Sequence, residues 1–365
     1  MWDHIIGNEP IKSYLARMVS KNAVGNSLLF AGPDGIGKSL FASELAKLLV
    51  GIDMPAFPSS ASQIERGIHP DVRVYKPEGK IGLHSIATMR QFSEEVYMTP
   101  YQSKWKVFII HDADRMLPSS ANALLKTFEE PAWDSVIILL SSNPATLLPT
   151  VISRCRTLHF HVIAEEEISC LLEKKWGCEP ELAKKLAFFS HGSVGKALSL
   201  LREGENVIRQ TMSKFLSQGK FSGYQDLSAA AHELSKSVEE SKDAIDKAFR
   251  SENARYIDNM NAAQKESLEK EIDGAIAMRQ LSIMHALFDD ILGWYRDLHL
   301  LLVNGNVNYL YHRDSLDILR QTLQKGNIPS LEFIQKSIAE AKLSLERSTT
   351  LSICIENLFL KLVLC

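Results

Sequence analysis

The chain has 365 residues, 45% of them hydrophobic and 23% charged, with a formal net charge of -3. That length allows two or three domains with full cores. The near-zero charge excludes a general attraction to nucleic acid, so any such contact must be a local patch. No apolar run reaches the roughly 18 residues of a membrane span. Five scattered cysteines, Cys155, Cys170, Cys178, Cys354 and Cys365, form neither a disulfide framework nor a CxxC metal pair. The N-terminus, MWDHIIGNEPIKSYLARM, is mixed and acidic near its start, unlike a signal peptide, and the chain reads as cytoplasmic.

In chain order, SLLFA (27–31) is a short apolar run and predicts a buried strand. The amphipathic KSLFASELAKLLV (38–50) predicts a helix, and between the two lies GPDGIGKS. Gly32, Pro33, Asp34, Gly35, Ile36, Gly37, Lys38 and Ser39 match GxxxxGK[ST] in the strand–loop–helix context that the motif needs. Glycines let consecutive backbone N–H groups turn inward around an anion at a helix N-terminus. Lys38 is expected to reach the outer phosphates and the Ser39 hydroxyl to ligate magnesium. The expected ligand is ATP or ADP with magnesium.

DVRVYKP (71–77) predicts the next strand and SIATMRQFSEEVYM (85–98) a helix. KVFII (106–110) predicts a buried strand that runs into His111, Asp112, Ala113 and Asp114. In phosphate-loop ATPases a strand of this kind ends in an acid for magnesium, and in many a second acid polarises water. Two alignments are open. With His111 at the magnesium position, an imidazole replaces the hard oxygen that magnesium prefers. With Asp112 there, Ala113 stands where water would be activated. Either way the site is one acid short, unless the working acids lie elsewhere. Binding with inefficient hydrolysis is the expectation.

SSANALLKTFEE (119–130) predicts a helix, and SVIILLS (135–141) and TLHFH (157–161) predict strands. Near-continuous apolar strands alternating with amphipathic helices predict a parallel five-stranded sheet covered on both faces. Beyond HFHVIAEEEI the β-signal disappears. AEEEISCLLEKKWG, EPELAKKLAFFS and GSVGKALSLLREG predict three short helices, and residues 207–365 read as helical almost throughout. Within them, the stretch from Glu239 to Gln280 alternates charge sign, as a solvated helix face does, with helix packing against partner chains as the alternative.

GPDGIGKS, HPDV (69–72), KVFIIHDADRM (106–116), SANALLKTFEEP (120–131) and TVISRCRTLHF (150–160) occur in a fixed order. Together they resemble the bacterial DNA polymerase III clamp-loader ATPases of the AAA+ class, over roughly residues 1–205. The resemblance implies a P-loop AAA+ domain at 1–163, a small helical lid domain at 164–206 and an all-α collar domain for oligomerisation at 207–365. It implies that Arg154, in SRC, is an arginine finger set in trans against the nucleotide of the adjacent subunit. A guanidinium suits that role because its planar, permanently charged fork matches spread phosphoryl charge. Ser153 is expected to orient the turn and Cys155 to be a small buried hydrophobe. Ser142, in LLSSNP, matches the family's polar sensor of the γ-phosphate, and Asp112 stands as the residual acid of the strand end.

Two departures are informative. In HGSVGKALSL, Gly195 stands where the family often has a basic sensor, with Lys196 beside it. The family's four-cysteine zinc module before HPD is missing from GIDMPAFPSSASQIERGIHPD, and His69 alone cannot hold zinc, so no zinc is expected. IIGN (5–8) resembles the segment that packs against adenine, with backbone near Ile6 reading the base; Ile6 as plain core is the alternative. Two subunit types remain open, an ATP-hydrolysing gamma/tau motor and a ring-organising subunit with a degraded site. The HDAD variant and a single collar-sized region favour the second. Implied partners are gamma/tau and delta subunits in a hetero-pentameric ring, and, through the complex, the sliding clamp and primed DNA of replication. Lys104, Lys106 and Lys126 are candidates for a local basic surface toward DNA, or for a plain solvated face.

Overall fold

A computed structural model of the chain describes every residue except 1, 3, 22, 52–56, 133, 204–206, 217–220, 258–261, 326–327, 348 and 365. The chain divides into two compact units, Met1–Arg202 with Ala262–Ala275, and Glu203–Asn261 with Ile276–Cys365.

The first unit is built on the five-stranded parallel sheet expected from the apolar runs. Its strands are β1 (Ser27–Ala31), β2 (Val72–Tyr75), β3 (Lys106–Ile110), β4 (Ser135–Ser141) and β5 (Arg156–His159), in the spatial order β2-β3-β4-β1-β5. All four pairings are parallel. Because side chains alternate across a strand, each central strand feeds two cores. Leu28 and Phe30, Val107 and Ile109, and Val136, Ile138 and Leu140 face one side. Leu29 and Ala31, Phe108 and Ile110, and Ile137 and Leu139 face the other. β1, β3 and β4 are therefore buried at every position, and each such large side chain contributes about 1.5–3 kcal/mol of burial. Register aligns Ala31 with Ser141 and with His159, so the loops that leave β1, β4 and β5 emerge together.

Helices α1 (Glu9–Ser20) and α2 (Lys38–Gly51) cover the first face through Ile11, Leu15, Phe41 and Leu45. α3 (Phe57–Glu65) follows α2. α4 (Ile86–Val96), α5 (Pro118–Ala123), α6 (Leu125–Glu129) and α7 (Pro149–Ile152) cover the second face, through Met89, Phe92, Ala121, Phe128 and Val151. The single helix expected over 119–130 is two. It breaks at Leu124, whose backbone turns to φ -94° and ψ -6° while its side chain is wholly buried; core packing overrides a helical sequence there. α8 (Glu165–Trp176), α9 (Pro180–Ser190) and α10 (Val194–Glu203) share a separate small core of Ile163, Ile168, Leu172, Ala183, Leu186 and Ala197, against which Ile6 packs.

The second unit is helical. It draws on α11 (Val207–Leu216), α12 (Tyr224–Ile257), α13 (Ala262–Leu302), α14 (Leu316–Lys325), α15 (Leu331–Glu346) and α16 (Leu351–Leu364), with α13 contributing its first residues, Ala262–Ala275, to the first unit. Trp294, Phe288, Ile334 and Phe359 lie at the centre of its core. Asp297, also buried, accepts hydrogen bonds from the backbone N–H of Tyr311 (3.0 Å) and His312 (2.7 Å) and from His312 Nδ1 (2.9 Å), which fixes the turn that leads into α14. Among the described residues no helix is long and apolar enough to cross a membrane.

Candidate functional site

The glycine-rich loop leaves the buried end of β1 and is pinned on both sides. The Gly32 N–H donates to the Ser141 carbonyl of β4 (3.2 Å), and Phe41 N–H in α2 donates to the Gly37 carbonyl (3.0 Å). Ile36 is sunk into the core beside α2, while Pro33, Asp34, Gly35 and Ser39 are exposed. Gly32, Gly35 and Gly37 all have positive φ, at 155°, 72° and 98°, the region that L-residues avoid. At Gly32 a Cβ would also lie 2.5 Å from the Phe160 carbonyl oxygen. A run of positive-φ glycines leading into a helix N-terminus is the backbone pattern of anion-binding loops.

Lys38 is buried at the foot of the loop. Its Nζ donates to the carbonyls of Gly32 (2.5 Å) and Pro33 (2.7 Å) and lies 3.5 Å from Asp34 Oδ1. Burial lowers its pKa, and Asp34, Asp112 and Asp114 oppose that shift. The ammonium is thus paired with Asp34 and held by two loop carbonyls, in the field of Asp112 and Asp114.

The end of β3 supplies the second half of the site. Asp112 has left-handed backbone, φ 47°, and its carboxyl is pushed up to about 6, first by burial and then by Asp114 and Asp34, against the pull of Lys38 and Arg115. His111 is pushed down to about 4, chiefly by burial and further by Lys76, His84 and Lys38, so its ring is a neutral imidazole at neutral pH. His84, fully buried, donates from Nε2 to the His111 carbonyl (2.7 Å), and burial lowers its pKa as well. Asp114 reaches across to β4: its Oδ1 accepts from Ser141 Oγ (2.8 Å) and from the Ser142 N–H (3.2 Å). Ser142 is thereby held at the strand end through its backbone. The excess of carboxylate around Lys38, with Asp112 carrying a raised pKa, fits a cation delivered with phosphates. A magnesium that takes most of its ligands from water and phosphate oxygens would need only Ser39 and one such carboxylate. Among the described residues, no group of three or more His, Cys, Asp or Glu side chains is placed to hold a metal ion.

Arg154 lies outside this cluster. It sits in the turn between α7 and β5, with Nη1 donating to the Thr150 carbonyl (2.8 Å) and Ser153 Oγ (3.4 Å), and Nη2 donating to Glu129 at the end of α6. Its side chain is 31% exposed. Ser153 Oγ donates to the Thr150 carbonyl (3.1 Å), which steadies the same turn. Cys155 packs against the second-face core, and burial pushes its thiol up to about 12. At the N-terminus, Asn8 exchanges two hydrogen bonds with His161, 2.8 and 3.0 Å, and ties the IIGN segment to the end of β5.

Lys106, expected as a candidate for a basic surface, is not part of one: it is buried, donates to the Glu95 carbonyl (3.0 Å) and lies 5.5 Å over the Phe108 ring. Its position at the start of a two-sided buried strand turns it inward; Lys104 and Lys126 are exposed. His69 is a turn residue whose Nδ1 accepts from the Asp71 N–H (3.1 Å). Three partners carry no spacing signal in the sequence: Asp114 for Ser141 and Ser142, Glu129 for Arg154, and Ser193 for Asp34, whose carbonyl accepts from its hydroxyl at 2.8 Å.

Residues 7–164 match the family described as DNA polymerase III, delta subunit. The chain is 33% identical over 199 residues to DNA polymerase III subunit delta′ of Bacillus subtilis, covering 53% of this chain and 59% of that protein. It is 35% identical over 136 residues to subunit delta′ of Pseudomonas aeruginosa, covering 36% and 41%. Subunit gamma of Buchnera aphidicola is 29% identical over 213 residues, covering 56% and 58%. The chain thus matches under two thirds of the length of these relatives. The motif resemblance and the sequence matches fall on the same segment: the N-terminal part of this chain is similar to the delta′ and gamma subunits of DNA polymerase III.

Proposed function

We propose that this relative of the DNA polymerase III delta′ and gamma subunits works as a delta′-type subunit of the clamp loader. In this reading it binds ATP or ADP in its own loop but hydrolyses it poorly. It helps to assemble a hetero-pentameric ring with gamma/tau and delta subunits, and it sets Arg154 against the triphosphate of its neighbour. The ring then loads the sliding clamp onto primed DNA in the cytoplasm. Residues 1–163 form the nucleotide-binding part, 164–206 its lid and 207–365 the collar.

The observation that carries the reading is the pairing of an intact phosphate loop with a neutral imidazole, His111, at the strand end. Gly32, Pro33, Asp34, Gly35, Ile36, Gly37, Lys38 and Ser39 would cradle the phosphates, with Lys38 neutralising their charge and Ser39 on the magnesium. Bound magnesium would supply charge neutralisation between the phosphates. Water activation is what the strand end lacks, since His111 has little basicity at neutral pH, Ala113 carries no acid, and Asp114 is engaged by Ser141 and Ser142, which leaves Asp112 for the magnesium. Ser142 would sense the γ-phosphate. Arg154 supports the trans role because its hydrogen-bond partners come from α6, α7 and the turn after it, not from the chain's own loop.

The test is reconstitution of the loader with Arg154→Ala. DNA-stimulated ATP turnover of the complex should fall, on the order of 10³-fold or more at the affected site for loss of an arginine finger. Nucleotide binding by this chain alone should not change. Unaltered turnover would remove the trans role. A second reading, a gamma/tau-like motor with turnover of its own, is favoured by the interaction between Asp112 and Lys38. Robust ATP hydrolysis by the isolated chain, lost in Lys38→Ala, would select it.

A further inference from the structure

The tip of the phosphate loop is interlocked with the start of α10. The Gly195 N–H donates to the Gly35 carbonyl (2.9 Å), and Ser193 Oγ donates to the Asp34 carbonyl (2.8 Å). The same Ser193 oxygen accepts from the Lys196 N–H (3.2 Å), so one hydroxyl caps α10 and holds the loop at once. The two backbones touch: a Cβ on Gly195 would lie 2.8 Å from Gly35 Cα, and a Cβ on Gly35 would overlap Ser193 Oγ. Gly35 also needs its positive φ of 72°. The contact therefore requires small residues on both sides.

We infer that Ser193 and Gly195 are positioning residues of the phosphate loop, holding Asp34 and Gly35 in the cradle conformation before nucleotide arrives. This deepens the proposed function and rests on its reading of the loop as a nucleotide site. The physical reason is preorganisation. Each backbone carbonyl tied to α10 is one that cannot swing into the cradle, and the neighbouring N–H groups stay turned inward. It also explains why glycine stands at 195: a side chain of any size would push the helix off the loop.

The experiment uses the full chain and two variants, Ser193→Ala and Gly195→Ala, with Ser193→Thr as the conservative control. Affinity for a fluorescent ATP analogue with magnesium is read by anisotropy. Backbone hydrogen exchange in the nucleotide-free chain is read over residues 33–37 and, separately, 194–198. Ser193→Ala should weaken binding about fivefold, the loss of one ordinary hydrogen bond. Gly195→Ala should weaken it on the order of tenfold or more, because both bonds go. Both should speed exchange at 33–37, and Ser193→Thr should restore the parent values. Alanine is intrinsically a better helix former than glycine, so a role confined to α10 predicts slower exchange at 194–198 in Gly195→Ala and no change in the loop.

Unchanged exchange at 33–37 in folded variants overturns the inference. In Ser193→Ala, faster exchange confined to 194–198 overturns it too, because it would mark a lost helix cap alone. If Gly195→Ala does not fold, Ser193→Ala decides. If the parent chain binds no nucleotide, the binding half of the proposed function fails, and loop exchange still judges the interlock.

Discussion

Asp112→Asn should make the protein more stable at neutral pH. The Asp112 carboxyl titrates at about 6 in the folded chain, against an ordinary 3.8, because burial and the charges of Asp114 and Asp34 disfavour its ionised form. Below pH 3.8 both folded and unfolded chains hold the proton and the group is neutral in its effect. Between 3.8 and about 6 the unfolded chain releases it while the folded chain keeps it, so stability falls as pH rises; above about 6 the loss is complete. At 1.36 kcal/mol per pH unit, the gap amounts to about 3 kcal/mol. Asparagine removes the titration and keeps the shape. The variant should therefore gain up to about 3 kcal/mol at pH 7.5 and nothing near pH 4. Each kcal/mol raises the melting temperature of a unit of this size by about 2–4 °C. Urea unfolding followed by tryptophan fluorescence across pH 4–8 gives the curve. A variant that is no more stable than the parent at pH 7.5 would refute the electrostatic account of the site. Under the proposed function, in which Asp112 is the acid that faces bound magnesium, the same substitution should also weaken magnesium–nucleotide binding.

Other outcomes follow from particular contacts. Glu129→Gln keeps the length of the Arg154 partner and removes its charge. Exposed pairs of this kind are worth about 1 kcal/mol or less, so turnover of the reconstituted complex should change by no more than about fivefold, with the chain's own nucleotide affinity untouched; a loss as deep as that of Arg154→Ala would mean that Glu129 acts in its own right. Asp71 is buried and accepts from the N–H groups of Tyr101 (2.5 Å), Gln102 (2.9 Å) and Ser103 (2.9 Å) and from Ser103 Oγ (2.8 Å). Burial alone would raise its pKa, but these bonds outweigh it and lower it. Its stabilisation is therefore present above the ordinary carboxylate range and is lost as pH falls through the depressed value. Asp71→Ala should cost about 3 kcal/mol at pH 7, where it strands buried amide donors, and the gap to the parent should narrow in acid; a constant gap from pH 7 to 3 would contradict this.

What was legible in the sequence is what depends on neighbours in the chain. β1, β3 and β4 coincide with SLLFA, KVFII and SVIILLS because strands buried on both faces must be apolar throughout. The turn from β1 into α2 was legible in GPDGIGKS because Gly32, Gly35 and Gly37 take positive φ, a conformation that glycine adopts most readily. The break at Leu124 was not, since it is imposed by packing against the sheet. Nor was the inward turn of Lys106, which follows from the strand's position rather than from the residue type. The contacts that shape the site join distant segments: Asp114 to Ser141, Glu129 to Arg154, and Ser193 to Asp34 across 159 positions. Each involves common polar residues whose local context has no periodicity. Gly195 read as a missing basic sensor, and only the approach of Gly35 gives the glycine a positive reason.

The most direct test of the central claim is to follow ATP bound by the isolated chain, with magnesium, through a single-turnover chase, alongside Lys38→Ala. ATP should be retained by the parent chain and released unhydrolysed, and it should not be bound by the variant. Rapid conversion to ADP by the parent, abolished in Lys38→Ala, would contradict it.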